Sequence, residues 1–246
     1  MSCPTKWSRR LAASLMLWLL ACLPLAASAE TSSAAPPPAQ RTAENRAAAH
    51  SATPRPFAAR YRLEVKGWPA AYVDHRLSHE GDYWESLMET SIRIARGSER
   101  SRFLIQSGQA RSIYYASGYS LLGVGDSYQL GAETLTTHPD RQTALFMLSR
   151  RVIGGDCAAA PCRITYLDHK GREESLEVRT LGEGSVSLPA GTFEAIRVEA
   201  VEGDKPDRRL VFHFHPELPG LLLSADYHRG GERPSHLALS ELTVLE

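Results

Sequence analysis

The sequence predicts a mainly β protein, a single domain in which a curved antiparallel sheet of about ten strands forms a half-barrel around one α-helix. Three observations carry this expectation. Apolar and polar residues alternate with period two through most of the chain beyond residue 57, the spacing of strands with one buried and one wet face. Clusters of turn-forming residues interrupt the alternation at short intervals, so consecutive strands are joined by hairpins. Only 140–153 changes to helical spacing.

Tyr61, Leu63 and Val65 alternate with Arg60, Arg62, Glu64 and Lys66 on a first strand, and Trp68-Pro69 turns the chain. Val73, His75 and Leu77 continue on a second. His79-Glu80-Gly81-Asp82 reads as a hairpin turn into a long third strand with Trp84, Ser86, Met88, Thr90, Ile92 and Ile94 on one face. A turn is expected at Arg96-Gly97-Ser98-Glu99, and Phe103 with Ile105, then Ile113 with Tyr115, mark two more strands.

The helix is expected over 140–153. Ala144, Leu145, Leu148 and Val152 share a face, Pro139 precedes it, Arg150 and Arg151 occupy its last turn and Gly154-Gly155 stops it. Phe146, Met147 and Ile153 widen its apolar surface, which places it against the concave side of the sheet. Strands resume at Ile164 and Tyr166, turn at Asp168–Gly171, and continue through Leu176 and Val178. Leu188-Pro189-Ala190-Gly191 is a tight turn before 193–201. Leu210, Phe212 and Phe214, then 221–227 and 236–245, finish the sheet across a Gly230-Gly231 turn.

The N-terminus reads as an export signal over 1–29. Lys6, Arg9 and Arg10 precede the apolar run from Leu11 to Leu25, and Ala27-Ser28-Ala29 offers a small-residue cleavage site before Glu30. The expected location is periplasmic, in a Gram-negative envelope, with no transmembrane anchor. Leu19-Leu20-Ala21-Cys22 also resembles a lipobox, so a membrane-anchored lipoprotein attached through Cys22 stays open, although Leu23-Pro24-Leu25 is apolar where a tether is normally polar. Residues 30–56, rich in Ala, Pro and Ser, read as a disordered linker before a domain at 57–246.

Cleavage would remove Cys3 and Cys22 and leave Cys157 and Cys162, close enough to form a disulfide in an oxidising compartment. Their spacing is not the Cys-x-x-Cys of redox sites. Removing the leader turns 28 basic against 28 acidic residues into 25 against 28, which leaves no electrostatic footprint for nucleic acid.

The segment Leu188-Pro189-Ala190-Gly191-Thr192-Phe193-Glu194-Ala195-Ile196-Arg197-Val198, the downstream Phe214-His215-Pro216-Glu217-Leu218-Pro219-Gly220-Leu221 and the closing Leu237 to Leu242 strand resemble an uncharacterised bacterial envelope family known as domain of unknown function 3108. The Asp140-Arg141 helix start, Leu148-Ser149-Arg150-Arg151 and the Tyr61 to Val65 strand fit it in order. Phe212 or Phe214 stands where that family usually has a Trp-like residue. The resemblance implies a secreted half-barrel similar to periplasmic lipoprotein carriers and brings no catalytic residues.

No nucleophile elbow, zinc-protease helix or phosphate loop occurs. Gly123-Val124-Gly125-Asp126-Ser127-Tyr128 starts like a dinucleotide fingerprint but lacks a βαβ setting. His213 and His215, two apart on a strand, could share a metal if His75, His79 or Glu217 joined them; a solvated polar face is the plainer reading. Asp74, Glu85 and Glu89 alternate with core residues as outward positions do, and Arg93, Arg96, Arg100 and Arg102 cluster around one turn. No enzyme and no cofactor are expected. Trp84, Met88, Ile92, Phe103 and Ile105 on the sheet, with Leu145 and Leu148 on the helix, either fill a packed core or flank a gap holding an apolar ligand or a lipidated partner. The alternative function is a structural protein of the envelope engaging a protein partner through its β surface.

Overall fold

The computed structural model describes residues 54–203 and 205–245. The leader, Cys22 and nearly all of the linker lie outside the described residues. The strands are β1 (Phe57–Val65), β2 (Ala71–Glu80), β3 (Tyr83–Ile92), β4 (Ala95–Gln106), β5 (Gln109–Leu121), β6 (Val124–Gly131), β7 (Cys162–Leu167), β8 (Glu173–Leu188), β9 (Gly191–Glu202), β10 (Lys205–Phe214), β11 (Leu222–Arg229) and β12 (Glu232–Val244), with one helix, α1 (Arg141–Ile153). They form one open antiparallel sheet in the order β6-β5-β4-β3-β2-β1-β12-β11-β10-β9-β8-β7. The chain meanders from β1 to one edge, crosses through a short 3-10 turn at Thr134–Thr136 and α1, and meanders back from the other edge until β12 pairs with β1.

The sheet must curl to bury its helix. Side by side in a flat sheet, β4 and β9 would stand about 34 Å apart, seven spacings of ~4.8 Å. Yet α1, a rod of about 10–12 Å with its side chains, contacts β4 and β5 from one half and β7 and β9 from the other. Tyr61, Phe57, Leu77, Phe103, Val178, Val198, Phe214 and Leu239 are fully or almost fully buried on the inward face. Asp140 caps the helix, its side chain accepting from the backbone N–H groups of Gln142 and Thr143, and the Gly154 N–H bonds to the Arg150 carbonyl at the other end.

The closed end of the half-barrel is stitched by the loop after β10. The Gly220 N–H donates to Ser149 Oγ at 2.7 Å, and Ser149 Oγ donates to the Phe146 carbonyl at 2.7 Å. Gly220 has φ +88°, and a Cβ there would stand 2.9 Å from the Phe146 ring, so the loop reaches the helix only with glycine. Beside it, Phe103 and Phe146 pack with ring centroids 4.7 Å apart.

The mainly β, antiparallel, one-helix architecture is as expected, and two of its details differ. The sheet has twelve strands instead of about ten, because Val124–Gly131 is a strand. Its Gly-x-Gly belongs to a hairpin: Gly123 has φ +82° in the turn, and any Cβ on Gly125 would collide with the Tyr119 carbonyl. The turn expected at Arg96–Glu99 lies at Arg93-Ile94, so 96–99 runs inside β4 and Ile94 is exposed. The inward side of β4 therefore carries Gly97, Glu99 and Ser101, paired with Thr90, Met88 and Ser86.

Cys157 and Cys162 form a disulfide with Cα atoms 5.1 Å apart. It closes the loop from α1 to β7, and the Cys157 carbonyl accepts from Thr180 N at 2.9 Å. A ring this small contributes about 2 kcal/mol in the loop-entropy model.

Candidate functional site: an apolar cavity between helix and sheet

The space between α1 and the sheet is not filled. A cavity of about 380 Å³ lies there, roofed by Ala144, Leu145 and Leu148 of the helix. Leu63, Val65, Val73 and Met88 form one wall, Ile164, Tyr166 and Leu176 the opposite wall, and Leu210, Phe212, Leu222, Ala225 and Leu237 the floor. It opens at the end of the sheet where β1 and β11 finish: the rim residues Lys66 and Arg229 are exposed, and Trp68 and Pro234 are half-buried. At the other end the aromatic packing around Phe146 seals it.

Away from the mouth, charged and amide side chains meet the cavity under the first turn of the helix, at Glu99, Arg141 and Gln142. Asp140 is fully buried; its Oδ1 accepts the two capping N–H bonds at 2.9 and 3.1 Å, and its Oδ2 accepts from Ser101, Ser112 and Thr143 hydroxyls at 2.8, 2.7 and 2.8 Å. Burial raises its pKa, and the hydrogen bonds from Ser112, Ser101 and Thr143 oppose that rise. Arg141 binds Glu99 with two hydrogen bonds, Nε to Oε1 at 2.5 Å and Nη2 to Oε2 at 2.6 Å, and Tyr115 Oη donates to the same Oε1 at 2.9 Å. Ser86 Oγ donates to Gln142 Oε1 at 2.6 Å and also meets His75 Nε2 at 3.0 Å. Glu99, the carboxylate in the cavity lining, and Asp140 beside it are thus both engaged in holding α1 to the sheet.

The residues singled out from sequence separate into groups. Met88, Leu145 and Leu148 line the cavity. Trp84 and Phe103 are buried in the sealed end, with Ile105 packed beside that core, and Ile92, the last residue of β3, is half-buried at the mouth end of the sheet without lining the cavity. The lining from β10 to β12 was not singled out, although Phe212 and Leu237 carry the same inward alternation.

His213 and His215 do not come together. β10 ends at Phe214, His213 Nδ1 pairs with Ser224 Oγ at 2.9 Å, and His215 Nδ1 accepts the Glu217 N–H at 3.1 Å. Among the described residues no group of three His, Cys, Asp or Glu could hold a metal ion. Asp74 pairs with Arg60 on the outer surface, and Glu85 pairs with Arg100 and Arg102, which spreads the arginine cluster along the sheet instead of gathering it at a turn.

His75 gives this region a pH dependence. Fully buried beside Phe57 and Tyr61, its ring titrates at about 4, because burial penalises the charged form. As pH falls from 6.5 towards 4, the unfolded chain gains a proton that the folded chain refuses, so stability is present at neutral pH and falls through that window. Thermal unfolding at pH 7 and pH 4 should show wild type losing about 3 kcal/mol more than His75→Gln. Equal losses would assign the acid sensitivity to other groups.

Among the described residues no helix is long and apolar enough to cross a membrane. No family model matches the chain, that of domain of unknown function 3108 included, and no curated protein matches it. Solved structures give low similarity. MucB in the Pseudomonas aeruginosa MucA/MucB complex is 12% identical with a TM-score of 0.39, over 81% of this chain and 54% of that one. A protein described as a lipoprotein from Parabacteroides distasonis is 8% identical with a TM-score of 0.35, over 78% and 96%. An outer membrane lipoprotein-sorting domain, so described, from Vibrio parahaemolyticus is 11% identical with a TM-score of 0.29, over 83% and 92%. The chain spans about half the length of MucB. Scores this low assign neither family nor activity, and the site is read from its own residues.

Proposed function

We propose that the protein is a non-enzymatic binding protein of the cell envelope that holds one apolar chain between α1 and the curled sheet. The supporting observation is the cavity itself, about 380 Å³, walled by Leu, Val, Ile, Phe and Met and open at one end. Globular interiors are packed to crystal-like density, and an apolar void of this size left among buried residues costs stability unless something occupies it. The volume lies at the lower end of the range of about 300–1,000 Å³ for small-molecule sites. Glu99, the carboxylate in its wall, is bound through both oxygens by Arg141, which leaves it unsuited to proton transfer on a bound molecule. Export through the 1–29 leader, with free diffusion or attachment at Cys22, completes the proposal.

The test is occupancy. Native mass spectrometry of the purified protein should find an apolar adduct, and delipidated protein should take up one equivalent of an apolar fluorescent probe. Leu145→Trp, which pushes an indole from the helix into the cavity, should abolish uptake while leaving the circular dichroism of the sheet intact. A clean apo mass together with no probe uptake by the wild type would sink the reading.

One observation favours a second reading, an interaction module working through the β surface. Leu122 and Val124 are 75% and 73% exposed at the β5–β6 turn, and Ile94 is exposed on the neighbouring turn whose carbonyl binds the Leu122 N–H. Three apolar side chains in water at one corner form a patch that a protein partner could cover. Crosslinking from these positions in intact cells that captured no partner would count against it.

A further inference from the structure

We propose that the ligand is a neutral lipid alcohol that enters hydroxyl first, its apolar chain filling the cavity and its hydroxyl resting in a small void beyond it, against Gln142 and His75. This rests on the cavity being a binding site and adds the ligand's polar group and its direction.

A second void, of about 10 Å³, adjoins the cavity and shares Met88, Gln142 and Leu145 with it. His75 and Ser86 line its sheet side, and Phe146 with Gly220 closes it towards the sealed end of the half-barrel. The space is about that of one water-sized sphere, room for a hydroxyl and for nothing larger. Met88, one of the shared side chains, is unbranched and flexible, so the partition yields to the end of a chain.

The hydrogen bonds around this void leave one donor and one acceptor over. Ser86 has a single hydroxyl hydrogen and gives it to Gln142 Oε1 at 2.6 Å, so at the 3.0 Å contact with His75 Nε2 the ring nitrogen is the donor. His75 Nδ1 is then a bare acceptor and Gln142 Nε2 keeps both its hydrogens, and neither atom has a hydrogen-bond partner among the described residues. His75 and Gln142 are only 5% and 6% exposed. Turning the Gln142 amide over reverses every bond in the chain and again leaves one donor, His75 Nδ1–H, and one acceptor, Gln142 Oε1. Buried polar atoms without partners are costly, and here two of opposite kind belong to residues lining one void.

That pairing selects the polar group. A hydroxyl accepts from one atom and donates to the other in either setting of the amide. An ether or an ester carbonyl offers acceptors only and an ammonium donors only, and a carboxylate adds a charge whose burial costs far more than that of a neutral group. Glu99 and Arg141, the charged pair in the lining under the helix, are taken up with each other, so the amide of Gln142 is the group with an atom to offer.

Displacement of the fluorescent probe from the full chain by dodecan-1-ol, its methyl ether 1-methoxydodecane, and dodecan-2-ol tests the proposal. The ether is less polar than the alcohol, so a wholly apolar site prefers it or binds both alike. A site that takes the hydroxyl should bind dodecan-1-ol about tenfold or more tighter, because the ether has no hydrogen to donate and its methyl exceeds the void. Dodecan-2-ol, with a methyl beside its hydroxyl, should lose most of that advantage, whereas a hydroxyl at the open mouth would tolerate the methyl. Gln142→Met, which removes the amide and keeps the length of the side chain, should bring the ratio of alcohol to ether affinity to about one or below. The three ligands decide polar group and direction even if that variant fails to fold. Ether binding as tightly as dodecan-1-ol overturns the hydroxyl assignment and leaves the apolar-chain reading standing. Equal binding of the two alcohols, or a preference for alcohol that survives Gln142→Met, overturns the direction. Binding of none of the three overturns the apolar-chain reading itself.

Discussion

Asp140→Ala is expected to destabilise the protein by about 3–5 kcal/mol, among the largest effects of any single substitution. Loss of the helix cap accounts for about 1–2 kcal/mol of this, since the Gln142 and Thr143 N–H groups lose their acceptor. The rest comes from the hydroxyls of Ser101, Ser112 and Thr143, which converge on the same carboxylate in a place water does not reach. Each unmade buried bond costs roughly 1–3 kcal/mol, and the three share one acceptor, so their costs do not simply add. Urea unfolding should show a lowered midpoint with an unchanged slope, the mark of a change in stability alone. Asp140→Asn keeps an oxygen for the two N–H groups and should lose about half as much. A loss below about 1 kcal/mol for the Ala variant would mean that the hydroxyls find other acceptors.

That cluster marks where sequence reasoning succeeded and where it stopped. The helix was legible over 140–153 because its apolar spacing, Pro139, Arg150-Arg151 and Gly154-Gly155 agree, and the structure places it at Arg141–Ile153. Most strands were legible because one face is wet and the other dry. β6 was not: Val124 to Gly131 is largely exposed on both faces, so it carries no alternation and its glycines suggest a loop. The turn between β3 and β4 was misplaced because Arg96-Gly97-Ser98-Glu99 has turn composition, whereas the actual turn, Arg93-Ile94, has none.

The cavity was less legible for a related reason. Alternation says that Met88, Leu145 and Leu148 point inward, but the same pattern builds a filled interior or an open one. A signal was nevertheless present. Ser86, Ser101 and Ser112 occupy inward positions where β-branched or aromatic residues would be expected, and His75 does the same on β2. Small hydroxyls at inward positions of three adjacent strands mean a buried polar partner, which Asp140 and Gln142 supply from the helix. Hydrogen bonds at the first turn and the packing of Phe146 on Phe103 to one side of the helix hold it to the sheet, while the side of its middle that bears Ala144, Leu145 and Leu148 stands off. The gap beneath that middle is the cavity, with Leu145 and Leu148 as its roof.

The ion pair at the edge of that gap gives the second large effect. Glu99→Leu is expected to cost about 3–5 kcal/mol, because Arg141 would be left charged and buried without its bidentate partner. Tyr115 Oη would lose the acceptor it finds in Glu99 as well. The double variant Glu99→Leu/Arg141→Met should recover most of the loss and stand within about 1 kcal/mol of wild type, since apolar residues of similar volume replace a buried pair at little net cost. Chemical denaturation of the four proteins measures the coupling directly as a double-mutant cycle. The double variant also separates architecture from recognition. If the pair serves only to seat the helix, uptake of the apolar probe survives in it, whereas loss of uptake with stability restored would make Glu99 and Arg141 part of the ligand contact.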